Sequence, residues 1–133
     1  MTRTWWLVVA LSVGVLAMTA KRALESYWWR TDTGLPNEPG PDAVANLERL
    51  RAFVETYFPG ARVISAHRSH AVNEAVGGAD NSYHLRGLAV DLAPAAGETL
   101  EVMTAYANTL KRSGKLVEVI PYKDGHLHIA MKG

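Results

Sequence analysis

Residues with metal-binding chemistry fall in two short stretches of the chain. The first is Ser82-Tyr83-His84-Leu85-Arg86-Gly87-Leu88-Ala89-Val90-Asp91, and the second is His126-Leu127-His128. Two imidazoles and a carboxylate, His84, Asp91 and His128, make the donor set of an open zinc site. Hydrolytic zinc is commonly held by three protein side chains, with water in the fourth tetrahedral position. A purely structural zinc site is normally closed by four ligands, often cysteine, and this chain has no cysteine.

The spacing sets what the backbone must do. Gly87 can end the turn carrying His84, because glycine takes backbone angles closed to other residues. From Leu88 to Leu92 bulky apolar residues alternate with Ala89 and Asp91, a strand with one core face and one face bearing the carboxylate. From His126 to Met131 the same period of two puts His126, His128 and Ala130 on one face and Leu127, Ile129 and Met131 on the other. Taken alone, a histidine pair on a strand marks a solvated edge more often than a ligand, and an aspartate after an apolar run is commonly a turn residue. Joint occurrence changes this. Three of the five histidines lie in two strand-like segments whose candidate ligands share a face.

At these residues the chain resembles the zinc D-Ala-D-Ala carboxypeptidases and their bacterial and phage relatives, a group similar to lysostaphin, penicillin-insensitive murein endopeptidase and the hedgehog signalling domain. The resemblance continues upstream through Ser65-Ala66-His67-Arg68-Ser69-His70-Ala71-Val72-Asn73 and Val76-Gly77-Gly78-Ala79, and covers roughly residues 42 to 131. It implies Zn²⁺ on His84, Asp91 and His128, substrate contacts from Arg68 and Ser82, and a role for His126 beside the reacting carbonyl. A guanidinium suits the Arg68 role, since its planar fork grips a carboxylate through two parallel hydrogen bonds. The chain departs from the pattern at Gly125, where several subgroups carry an acidic general base. Asp124 and Glu118 are the nearest carboxylates, so His126, Asp124 and Glu118 are the candidate proton-handling residues, His126 first. The implied activity is hydrolysis of peptidoglycan peptide bonds, of D-Ala-D-Ala carboxypeptidase or murein endopeptidase type. The alternative is a non-catalytic zinc-containing module that binds cell wall, and a membrane-tethered structural protein without metal is a third reading.

The elements that must position these residues fit one small domain. Val44, Leu47, Leu50, Val54, Tyr57 and Phe58 recur at helical spacing until Pro59-Gly60. Leu100, Met103, Ala107 and Leu110 mark a second helix, with Lys111 and Arg112 in its last turn and Gly114 just beyond. Residues 61–65 and 88–92 read as strands, 71–75 as one helical turn, 77–83 as a loop, and 115–120 with 126–131 as an antiparallel pair. The expected class is α+β, a small antiparallel sheet with two main helices on one side and the zinc site on the other, like the hedgehog and D-Ala-D-Ala peptidase folds.

With 133 residues there is room for one domain plus a tail. Fourteen basic and 13 acidic side chains balance to +1, which gives no basic field for nucleic acid. A monomer is expected. Residues 1–30 read as a membrane anchor or signal segment, 31–41 as a Pro/Gly linker and 42–133 as the peptidase-like domain. Trp5 to Ala20 is uncharged and as a helix would span roughly 24 Å. Lys21 and Arg22 can snorkel, and Trp5-Trp6 and Trp28-Trp29 suit the two membrane interfaces. Ala17-Met18-Thr19-Ala20 makes a poor cleavage site, so an uncleaved single-pass anchor is preferred to secretion after signal cleavage. The positive charges on both sides of the stretch do not favour an outward-facing domain. A wall substrate does, and the domain is placed outside the cytoplasm.

Overall fold

The computed structural model describes residues 28–133. The expected membrane segment lies outside the described residues except for its last three positions. Among the described residues, no helix is long and apolar enough to cross a membrane.

Helix α1 (Pro41–Tyr57) begins at a proline, whose missing N–H costs nothing at a helix start, with Asp42 in the first turn complementing the dipole. Strand β1 (Arg62–Ser65) follows, then the short helix α2 (His70–Ala75), capped by the Ser69 side chain on the Val72 N–H. A 3₁₀ turn at Tyr83–Arg86 leads into β2 (Ala89–Ala93). Helix α3 (Leu100–Arg112) is capped by Thr99, and β3 (Glu118–Pro121) and β4 (Leu127–Ala130) complete the chain.

The four strands form one antiparallel sheet in the order β1-β2-β4-β3. Crossing from β2 to β4 without β3 between them puts the Asp91 strand directly beside the His128 strand. Val90 pairs with Ile129 and Leu92 with Leu127; these four join Leu47, Leu50 and Val54 of α1 and Met103, Ala107 and Leu110 of α3 in one buried cluster. Alternation along the strands therefore sends Asp91 and His128 to the opposite face. The expected α+β class holds, with three helices and a four-stranded sheet among the described residues. Pro121 sits on edge strand β3, where its lack of a donor does not break an interior ladder.

The stretch ahead of α1 is tied to this body. Trp28, expected at a membrane interface, is instead 6% exposed within the core, and its carbonyl accepts from the His67 N–H at 2.9 Å. Asn37 is 7% exposed and bonded to residues on both sides of Arg68. Prolines and glycines in 34–41 interrupt regular hydrogen bonding, which says nothing against packing.

Candidate metal centre

Asp91 and His128 are cross-strand partners in β2 and β4, which sets their side chains next to each other on the open face of the sheet. His84 arrives from the 3₁₀ turn. Its start is fixed by the Ser82 hydroxyl, which accepts from the His84 N–H at 3.2 Å. Its end is fixed by Gly87, at φ 71°, where a Cβ would lie 2.6 Å from the Ala43 carbonyl of α1. Asn46 adds a second tie, donating to the Arg86 carbonyl at 2.9 Å.

The three donors converge. His128 Nδ1 is 3.0 Å from Asp91 Oδ1, His84 Nε2 is 3.3 Å from the same oxygen, and the two ring nitrogens are 3.2 Å apart. A tetrahedral zinc with bonds near 2.0–2.1 Å would hold its ligands roughly 3.3 Å from each other. The protons point the same way. His84 Nδ1 is 2.5 Å from the Ala66 carbonyl, which can only accept, so Nδ1 carries the hydrogen and Nε2 presents a lone pair. His128 Nε2 faces Glu118 Oε1 at 3.5 Å, leaving Nδ1 aimed at the centre. Two lone pairs and a carboxylate oxygen facing one point make a donor set that could hold a metal ion, and such orienting partners behind the rings are usual at metal sites. All three side chains are buried.

Without a metal, the site's electrostatics follow from the same contacts. Burial pushes the Asp91 carboxyl up, but hydrogen bonds from His128 and His84, with their charge, outweigh it and hold it well below the usual carboxylate range. Burial pulls His128 down, but its hydrogen bond to Asp91 and the charges of Asp91 and Glu118 raise it above its ordinary value.

Arg68 reaches the same carboxylate from behind, its Nη2 donating to Asp91 Oδ2 at 3.1 Å. This is a different engagement from the expected grip on a substrate carboxylate, and it leaves Asp91 Oδ1 for the centre. The turn that carries Arg68 is braced three ways. Its own N–H donates to the His84 carbonyl at 3.1 Å. Asn37 Nδ2 donates to the carbonyls of Trp29 and His67, at 2.6 and 3.0 Å, and Asn37 Oδ1 accepts from the Ser69 N–H at 2.6 Å. Sequence reasoning missed Asn37, since an asparagine among prolines and glycines reads as a turn residue. His67 beside it is buried, and its Nδ1 has no hydrogen-bond partner. Burial first, then the charge of His84, push its imidazole down to about 4.

The triad floors a cleft of about 560 Å³, whose wall includes Ser82, Glu118, Tyr122 and His126. The His126 ring stacks on Tyr122 at 4.6 Å and 16°, and its Nδ1 is 2.5 Å from Asp124 Oδ1. Asp124 also accepts from the His126 N–H. The tight β3–β4 turn explains Gly125: φ is 97° there, a conformation in which an acidic side chain would be strained. Tyr122 is a wall residue that sequence did not single out; it follows β3 and stacks on the ring four residues on.

The family model for peptidase M15 matches residues 20–130. No curated protein matches the chain. The match takes in every element described above and most of the 133 residues, so this chain belongs to the peptidase M15 family.

Proposed function

We propose that the protein is a zinc-dependent peptidase acting on the peptides of peptidoglycan. The observation that carries the reading is the convergence of His84 Nε2, Asp91 Oδ1 and His128 Nδ1 within 3.3 Å of one another on the floor of a cleft, in a chain of a peptidase family. Imidazole and carboxylate donors suit zinc, which needs no redox chemistry for hydrolysis. When bound, zinc supplies a Lewis acid for the scissile carbonyl and brings a water's pKa to about 7.

The chain's own side chains supply the rest. Asp124 orients His126 by accepting from Nδ1, which leaves Nε2 as the ring atom that takes a proton from water and returns it to the leaving amine. Glu118 holds the His128 ring and adds negative charge beside it. Arg68 partly neutralises Asp91, and Ser82 keeps the His84 turn in place while its side of the cleft meets the substrate. The stretch Trp5 to Ala20 anchors this domain at the outer face of the cytoplasmic membrane, with substrate in the wall beyond. Gly125 favours one competing reading, a zinc-containing wall-binding module that cleaves nothing.

Digestion of purified peptidoglycan by the zinc-loaded full chain, with mass analysis of the released fragments, tests this. New amine and carboxyl ends that vanish on chelation are expected. Retention on the wall without any new ends would establish the binding module instead.

A further inference from the structure

The hollow over the metal centre has a neighbour. A second cavity of about 590 Å³ lies on the other side of Arg68, and Arg68, Val76 and Asp91 wall both. Its outer wall is the segment before α1, through Thr31, Thr33 and Asn37, and its floor is edge strand β1, through Ile64 and Ser65. Each cavity alone is within the range of about 300–1,000 Å³ usual for a ligand site.

Sheet register shows how the two are arranged. Ser65 pairs with Asp91, Asp91 with His128, and His128 with Ile120, a row that crosses all four strands from one edge to the other. The metal donors occupy its middle. Large apolar side chains stand exposed at both ends: Ile64 at 55% and Val76 at 52% on the β1 side, Ile120 at 39% and Tyr122 at 44% on the β3 side. An extended peptide places successive side chains on alternate sides, so exposed apolar groups flanking a reactive centre are what a bound chain would cover.

A site for removing one terminal residue needs something different: a blind end and a cation to hold the terminal carboxylate. Among the described residues, Arg68 is the one lysine or arginine on the wall of the catalytic cleft, and its Nη2 is engaged by Asp91. Beyond Arg68 lies the second cavity, with Arg68, Val76 and Asp91 between the two.

We propose that the cleft is one half of a groove running across the sheet, that the cavity between β1 and the segment 30–37 is its second subsite, and that the substrate is an extended peptide cut at an internal bond. The proposal rests on the peptidase reading above. In the reaction, the oxygen of water bonds to the carbonyl carbon, the C–N bond breaks and a proton passes to the leaving nitrogen, so both products are peptides of more than one residue.

The test uses the zinc-loaded full chain on two probes, a cross-linked muropeptide with its terminal carboxylates converted to amides and the same muropeptide unmodified. Both are expected to be cut at the same internal bond with kcat/KM equal within about threefold, and trimming the substrate to one residue beyond that bond is expected to lower kcat/KM about tenfold, the equivalent of about 1.4 kcal/mol. Release of a single terminal residue from the unmodified probe alone would overturn the internal-cut proposal and leave the peptidase reading standing. No cleavage of either probe would overturn both. Ile64→Asp separately probes the second subsite: with its circular dichroism unchanged, it should raise KM for the long probe by about fivefold and leave the trimmed one unaffected. Equal kinetics on both would remove the subsite.

Discussion

At the residue scale, the centre depends on side chains that touch no substrate. Asn37 brackets Arg68 by bonding the carbonyl before it and the N–H after it, and Arg68 in turn sets Asp91. Replacing Asn37 by alanine leaves these buried backbone groups unpaired, at about 1–3 kcal/mol. Asn37→Ala is expected to lower the melting temperature by roughly 4–8 °C for each kcal/mol lost, and to reduce kcat/KM further than melting alone explains. An activity unchanged at temperatures well below melting would show that Arg68 needs no such brace. His67 gives a pH signature of its own. Its imidazole is pushed from 6.5 to about 4, so between these values the unfolded chain binds a proton that the folded one refuses. Stability is complete above about 6.5 and falls as pH drops toward 4. Asp91, depressed, loses its contribution only at still lower pH; His128, raised, loses its own as pH rises above its ordinary value in the metal-free protein. The window from 4 to 6.5 therefore belongs to His67, and thermal melts of His67→Phe should be flatter across it than those of the parent. Identical slopes would contradict this assignment.

At the element scale, most of what holds the site was legible in the chain. Period-two alternation in 88–92 and 126–131 identified the two strands and the face that carries Asp91 and His128, and the helical spacing of Leu47, Leu50 and Val54 and of Met103, Ala107 and Leu110 identified the helices that cover the other face. Alternation reports burial, which is what those residues experience. It could not report which strand lies next to which; that β2 borders β4 follows from tertiary pairing. Nor could it report the segment before α1, which beyond Trp28 and Trp29 is held through backbone carbonyls and the Asn37 amide and leaves no hydrophobic period to read. In the sequence Gly87 marks the end of a turn, whereas its second duty, close approach to α1, is a property of the fold. Gly87→Ala combines a left-handed backbone with a Cβ 2.6 Å from the Ala43 carbonyl and 2.9 Å from Leu47 Cγ. A loss of at least about 2 kcal/mol, hence a melting temperature lower by roughly 10 °C, is expected from differential scanning calorimetry. A shift under about 2 °C would mean that α1 moves aside freely.

At the scale of the whole molecule, a small antiparallel sheet divides the labour between its faces. One face is closed by α1 and α3 and by Trp28, and the other carries three buried donors under an open cleft. Near-neutral overall charge leaves the affinity for a substrate to local contacts in that cleft. The account comes down to whether one metal ion is shared by His84, Asp91 and His128. Metal analysis of the purified full chain after zinc loading and dialysis answers this directly, comparing the parent with His84→Ala, Asp91→Ala, His128→Ala and His126→Ala, each checked for folding by circular dichroism. The parent and His126→Ala should each retain about one zinc per chain, as expected of an open three-ligand site, while the other three retain almost none. Folded variants that all keep as much zinc as the parent, or a parent that keeps none, would contradict the account.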